Sequence, residues 1–157
     1  KSTLAALLEA ATGFALLSSD VVRRRSAGIA ATTVAPYGAG LYTPRAREAT
    51  YAVLCAEVDA QLAAGRAVIV DATWMRRADR NRLAAAARAY RCPLVFVECR
   101  ADEAAIRKRL HARALGPSLS DARWDTYVEQ RQAWPWVHGH SPAADISSDT
   151  VGFTRGS

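Results

Sequence analysis

The first three residues of the chain, Lys1, Ser2 and Thr3, have the types and order of the second half of a phosphate-binding loop, G-x-x-x-x-G-K-S/T. In such a loop the lysine ammonium meets nucleotide phosphates and the hydroxyl that follows coordinates Mg²⁺. Strong helix formers continue from Ser2 to Ala11, which predicts a helix whose positive N-terminal end faces the phosphates. The alternative is an ordinary domain in which these three residues are accidental.

An acid and a run of arginines follow the next apolar segment. Phe14 to Leu17 predicts a buried strand, and Asp20 and then Arg23 to Arg25 come after it. Because α/β sheets bind ligands at the carboxyl ends of their strands, a carboxylate here can accept a proton from a hydroxyl while guanidinium groups hold an anion. The alternative is that Asp20 caps a short helix whose arginines face solvent.

A second acid ends another apolar segment, since Asp71 directly follows Ala67 to Val70. This is the form of a Walker B-like strand, whose carboxylate lies near Mg²⁺ and substrate. A strand-end Asp that only caps the following helix is the alternative.

The helix predicted from Asp102 to Arg113 is strongly basic. Arg109 and Arg113 lie one turn apart on it and can face the same phosphate, in the manner of a lid over a transferring phosphoryl group. We expect the lid region to cover about 107–120. A solvated basic face is the alternative.

The elements that position these residues alternate between strand and helix, which predicts an α/β fold with a parallel sheet. With 157 residues the chain is long enough for a single domain, 1–157. Besides the segments above, a short helix is predicted from Asp20 to Gly28, and longer helices from Pro44 to Gly65, Arg77 to Tyr90 and Ser120 to Trp134; strands are predicted at Leu94 to Val97 and Ala144 to Ile146. The closing VGFTRGS has no pattern that predicts an element, and we expect this tail to fray.

Composition narrows the function classes. The net charge is +6, and Lys1 and Lys108 are the only lysines, so the excess is carried by arginines, which suit phosphate recognition. A GC-rich genome would produce the same composition. Three cysteines without metal-ligand spacing indicate neither a disulfide framework nor a zinc site, which favours a reducing cytoplasm. The absence of a long apolar run argues against a membrane span.

The motifs KST, SSDVVRR, YGAGLYTP, VIVDATW and RKRLHAR followed by SDA resemble, in this order, those of P-loop kinases that include polynucleotide 5′-hydroxyl kinases, zeta toxins and chloramphenicol phosphotransferase. GLYTPRA and DATW look most like the kinase domain that often follows an aminoglycoside phosphotransferase-like domain in bacterial fusion proteins. The resemblance implies ATP and Mg²⁺ as cofactors. It also implies a three-layer P-loop fold with helices on both faces, whose first strand and glycine half of the loop are missing from this chain.

Residue by residue, the resemblance assigns activation of the acceptor hydroxyl to Asp20, a substrate phosphate to Arg23 and the second strand-end acid to Asp71. It makes Arg109 and Arg113 the paired lid arginines, with Arg113 on the γ-phosphate. A departure is Trp74, which stands where relatives often have Asn.

We therefore expect transfer of the γ-phosphoryl group of Mg·ATP to a hydroxyl of a small molecule. Lys1, Asp20 and Arg113 would be catalytic, while Ser2 and Asp71 would hold the metal and Thr3 and Arg109 the nucleotide. The first alternative is a polynucleotide 5′-hydroxyl kinase, and the second is a non-catalytic nucleotide-sensing module that regulates a fused phosphotransferase domain.

Overall fold

The computed structural model describes residues 1–28, 43–99, 101–114, 124, 127–128 and 151–155. The chain divides into two compact units, Lys1–Trp74 and Met75–Ser157. No helix in the described part of the chain is long and apolar enough to span a membrane.

The first unit contains a parallel pair of strands and three helices. In chain order these are α1 (Ser2–Thr12), β1 (Ala15–Ser18), α2 (Ser19–Ser26), α3 (Pro44–Ala63) and β2 (Val68–Asp71). Strand β1 pairs with β2 in parallel, and Ser18 lies opposite Asp71. The carboxyl ends of both strands therefore meet at one edge, where the two acids singled out in the sequence also lie.

Local signals set the ends of these helices. Gly13, with φ of 70°, ends α1, and its N–H donates to the carbonyl of Glu9. The hydroxyl of Thr43 accepts from the N–H of Ala46 at the start of α3, where Pro44 occupies a first-turn position that requires no N–H donor. These caps explain why the sequence pattern predicted both helices.

The core of the first unit lies along α3. Leu54 and Val58 on this helix and Val22 on α2 are almost completely buried. Each such side chain contributes about 2 kcal/mol through removal of apolar surface from water. This burial holds helix α3 in place, and with it any side chain that α3 directs at the ends of the strands.

The second unit contains α4 (Arg77–Ala89), β3 (Leu94–Glu98), α5 (Glu103–Ala114) and β4 (Val151–Arg155). Strand β3 pairs with β4 in parallel, with Leu94 opposite Val151. The carboxylate of Asp102 accepts from the N–H of Ala105 at the start of α5. This cap satisfies one of the N–H groups that a helix start leaves without an acceptor.

The predicted α/β class with parallel strands is confirmed, and the described elements other than β4 lie within one or two residues of their expected bounds. The expectation of a fraying tail is wrong, because 151–155 form strand β4. The predicted strand Ala144 to Ile146 lies outside the described residues, as does the helix Ser120 to Trp134 except for Trp124, Tyr127 and Val128, which are helical. The predictions of three layers and of a single domain stay predictions.

Candidate functional site

The carboxylate of Asp71 joins the start of α1 to the end of β2. Lys1 Nζ lies 2.8 Å from Asp71 Oδ1 and Ser2 Oγ donates to Asp71 Oδ2 over 2.6 Å. The Asp71 side chain is only 5% exposed, whereas that of Lys1 is 39% exposed. A buried carboxylate thus has a partner for each oxygen, and its ammonium partner is open to solvent on one side.

These contacts place Lys1 and Ser2, at the start of α1, at the carboxyl edge of the strand pair. Lys1 is the N-cap residue of α1 and makes no side-chain cap, and the first turn contains no acid. A helix start leaves its first N–H groups without intrahelical acceptors and carries a partial positive charge. An anion at this end of α1 would therefore be stabilised by the helix and by Lys1 together.

The donor set also fits Mg²⁺ and a nucleotide. Hydroxyl and carboxylate oxygens, here of Ser2 and Asp71, are the hard ligands that Mg²⁺ takes, and Mg²⁺ sites commonly use one or two carboxylates together with substrate phosphates. Among the described residues no three His, Cys, Asp or Glu side chains converge as a metal cage made of protein alone would need. The arrangement therefore suits a metal shared with phosphates.

Asp71 does not cap a helix. It is the last residue of β2, and α4 begins at Arg77 with Arg76 as its N-cap residue. The alternative that Asp71 serves as an ordinary cap therefore does not hold in this structure.

Asp20 lies in the first turn of α2, directly after β1. Arg23 Nη1 donates to Asp20 Oδ1 over 2.5 Å, and both side chains are largely buried. The N-cap residue of α2 is Ser18, so Asp20 is not its cap. The structure thus brings together the predicted acceptor-activating acid and the predicted substrate-phosphate arginine, on a helix that starts at the carboxyl edge of the strand pair.

The three consecutive arginines of α2 have different environments, as successive helical positions point in different directions. Arg24 is buried, and Arg25 pairs with Glu57 of α3. Arg23 thus lies beside Asp20, and the expectation that the arginines of this run hold an anion stays a prediction.

A cluster around Tyr51 was not predicted from the sequence. The phenol oxygen of Tyr51 lies 3.0 Å from Thr73 Oγ1 and accepts from the N–H of Trp74 over 3.2 Å. The rings of Tyr51 and Trp74 meet edge to face, with centroids 5.3 Å apart. Trp74, the residue that replaces the usual Asn, therefore buries its indole against α3. In the sequence, the only signal for this contact was that Tyr51 is aromatic.

The expected lid residues lie on α5, in the second unit. Arg109 is exposed, and Arg113 belongs to the last turn of the helix, while its side chain is outside the described part. The guanidinium of Arg107 lies 4.3 Å from the ring centre of Trp124, which attaches α5 to the aromatic pair of Trp124 and Tyr127. Lys1 belongs to the other unit, so the assignment of Arg109 and Arg113 to phosphate stays a prediction.

Comparison with known proteins identifies the family. The model of the AAA domain family matches residues 1–134. Uncharacterized protein Mb2027c of Mycobacterium bovis and Uncharacterized protein Rv2004c of Mycobacterium tuberculosis are each 33% identical over an alignment of 145 residues, and the alignment covers 89% of this chain. The chain spans only 28% of the length of these curated relatives.

A solved structure has the same fold. The crystal structure of a gluconokinase from Sinorhizobium meliloti 1021 matches 98% of this chain and 74% of its own, with a TM-score of 0.57 and 16% sequence identity. At this identity the match concerns the fold alone. Together with the match of the family model over residues 1–134, it leads to one conclusion: the chain belongs to the AAA domain family, and its fold is that of a kinase-like P-loop domain.

Proposed function

We propose that this domain transfers the γ-phosphoryl group of Mg·ATP to a hydroxyl group of a small molecule. The observation that carries the proposal is the buried Asp71 carboxylate, bonded to Lys1 and Ser2 at the edge where β1 and β2 end. This arrangement supplies a cation for phosphates and two oxygen ligands for a metal at one place.

Each residue of this arrangement has a distinct task. The Lys1 ammonium binds the β- and γ-phosphates, and Thr3, in the first turn of α1, adds to the phosphate-binding end of that helix. Ser2 and Asp71 would hold Mg²⁺ through their oxygens, and this ion would supply positive charge that offsets the negative charge of the phosphates. Direct contact with Asp71 also keeps the Lys1 ammonium at this edge of the strand pair.

Asp20 orients the acceptor hydroxyl and takes its proton as the new oxygen–phosphorus bond forms, while the bond between the γ-phosphorus and its bridging oxygen breaks and ADP leaves. Arg23 fixes the direction of the Asp20 carboxylate and binds an anionic group of the substrate. We assign Arg109 and Arg113 to the transferring phosphoryl group, where their positive charge compensates the charge on its equatorial oxygens. The resemblance in sequence supports these assignments.

A neighbouring domain is part of the proposal. Because the curated relatives are several times as long as the matched segment, we propose that a phosphotransferase-like domain accompanies this one in the natural protein. The small-molecule acceptor would then be bound by this domain alone or together with its neighbour.

The test is transfer of labelled γ-phosphate from Mg·ATP by the protein in its full natural length. The acceptor panel contains aminoglycosides, nucleosides, 5′-hydroxyl oligonucleotides and sugars, with gluconate included because the structural neighbour is a gluconokinase. Asp20→Asn should lower the transfer rate about 10²–10⁴-fold with little change in ATP affinity, since it removes only the proton acceptor. Asp59→Asn, the same change at an exposed position of α3, is the matched control.

The outcomes separate the candidate functions. Transfer to a small molecule that is lost in Asp20→Asn supports the proposal. Transfer to oligonucleotides alone, with steep salt dependence, would make the domain a polynucleotide kinase instead. Binding of ATP without transfer to any acceptor would leave a nucleotide-sensing module. Equal loss of binding and transfer in Asp20→Asn would contradict the role of Asp20.

A further inference from the structure

The phenol of Tyr51 connects α3 to the turn that follows β2. Its oxygen accepts from the backbone N–H of Trp74 and shares a second hydrogen bond with the hydroxyl of Thr73. Tyr51 is only 3% exposed, so water competes little for these two bonds. Because Leu54 lies fully buried one turn further along α3, the helix holds the phenol firmly.

The turn that Tyr51 holds has an uncommon backbone. Trp74 has φ of 48°, in the left-handed region that bulky residues rarely adopt. Such a conformation persists only where the surroundings impose it, and conformations of this kind are frequent at active sites. For Trp74 the constraint comes twice from Tyr51, through the hydrogen bond to its N–H and through the edge-to-face ring contact.

This turn begins at the carboxylate described above. Asp71 is the last residue of β2, two positions before Thr73. On the strand side its backbone is held by the pairing of Ser18 with Asp71. On the turn side it is held by Tyr51. The direction in which the Asp71 side chain leaves the strand thus depends on both constraints.

We propose that Tyr51 is a positioning residue, which holds the turn after β2 so that the Asp71 carboxylate stays within bonding distance of Lys1 and Ser2. Its importance for the reaction rests on the proposed phosphotransfer function. Tyr51 itself is almost completely buried. It acts through Asp71, as residues that support a metal ligand commonly do.

The test compares two identical chemical changes. Tyr51→Phe removes the phenol oxygen and keeps the ring, and Tyr90→Phe makes the same change at an exposed tyrosine that follows α4. In Tyr51→Phe the Trp74 amide should exchange its hydrogen faster, and the ¹³C signal of the Asp71 carboxylate should move. Neither should change in Tyr90→Phe. These measurements need no activity and no bound ligand.

Kinetics then distinguish positioning from a purely structural role. The Mg²⁺ concentration for half-maximal ATP binding and transfer should rise about tenfold in Tyr51→Phe, because metal affinity falls by this order when a supporting residue is lost. Thr73→Val should produce part of this rise in the Mg²⁺ requirement. Thr73→Ser, which keeps the hydroxyl, should leave the Mg²⁺ requirement at its normal value. If Tyr51→Phe only lowers the melting temperature and leaves the Mg²⁺ requirement unchanged, the proposal is overturned.

The ¹³C signal of the Asp71 carboxylate decides between the remaining outcomes. If its chemical shift does not change in Tyr51→Phe, Tyr51 does not position Asp71 and the inference is wrong. If the unaltered protein neither binds Mg·ATP nor transfers phosphate, the proposed function fails, and the Asp71 signal alone shows whether Tyr51 controls this carboxylate.

Discussion

Two buried aspartates, Asp71 and Asp79, lie eight residues apart in the sequence and differ in their partners. The partners of Asp71 are distant in the sequence, whereas that of Asp79 is near. Asp79 is 1% exposed and receives both nitrogens of a fork from Arg76, three residues before it, at 2.7 and 2.8 Å. Asp71 is bonded to Lys1 and Ser2, at the far end of the first unit's sequence. The Asp79 pair joins residues three apart in the sequence, and it belongs to the start of α4.

The difference shows which buried acid is available for chemistry. A bidentate guanidinium fork satisfies a carboxylate with fixed geometry, so Asp79 has little capacity for another ligand. An ammonium is a point charge on a flexible stem, and a hydroxyl can rotate, so Lys1 and Ser2 can turn toward phosphate and metal while Asp71 keeps its place. Burial alone would not have separated the two acids.

The largest effect is expected from Lys1→Met. Removing the ammonium takes away the cation for the phosphates, and the transfer rate should fall about 10²–10³-fold. Labelled phosphate transfer measures this loss, and the melting temperature shows whether the first unit remains folded. A rate within threefold of the unaltered protein corresponds to about 0.7 kcal/mol in barrier height. Such a result would contradict the claim that Asp71 and its partner Lys1 serve the reaction whereas Asp79 does not.

Asp79→Asn should destabilise the fold and leave the phosphoryl transfer reaction unaffected. It replaces a charge-assisted fork with a weaker contact and should lower the free energy of unfolding by about 2 kcal/mol. Denaturant unfolding measures this change. The transfer rate per folded molecule should stay at its normal value, and a loss as large as that of Lys1→Met would mean that Asp79 also serves the reaction.

Ser2→Ala should have a smaller and more specific effect. It removes one oxygen ligand, and the Mg²⁺ concentration for half-maximal transfer should rise about tenfold, near 1.4 kcal/mol. Titration with Mg²⁺ at saturating ATP tests this expectation. If the requirement for Mg²⁺ is unchanged while ATP affinity falls, the Ser2 hydroxyl serves the phosphates and not the metal.

The smallest effect is expected from Glu57→Gln. Its partner Arg25 is 58% exposed, so solvent screens the pair and the free energy of unfolding should change by less than about 0.5 kcal/mol. The denaturation midpoint measures the change. A loss comparable with that of Asp79→Asn would show that exposure is a poor guide to the strength of ion pairs in this domain.

Much of this arrangement was determined by the sequence itself. Apolar runs and cap residues predicted the helices and strands, because hydrophobic periodicity, Thr43 with Pro44, and Gly13 all act over a few residues. The contact of Asp20 with Arg23 was also within reach, since residues three apart on a helix are neighbours. The order of motifs also indicated a resemblance to P-loop kinases.

The tertiary structure decided what depends on contacts between distant residues. From local pattern alone Asp71 remained open to a capping role, and its contacts with Lys1 and Ser2 became evident only when β2 was placed beside α1. The support of Trp74 by Tyr51 and the pairing of β4 with β3 are of the same kind. The physical reason is that the left-handed backbone of Trp74 and a strand that contains Gly152 are unfavourable locally, and partners far along the chain stabilise both.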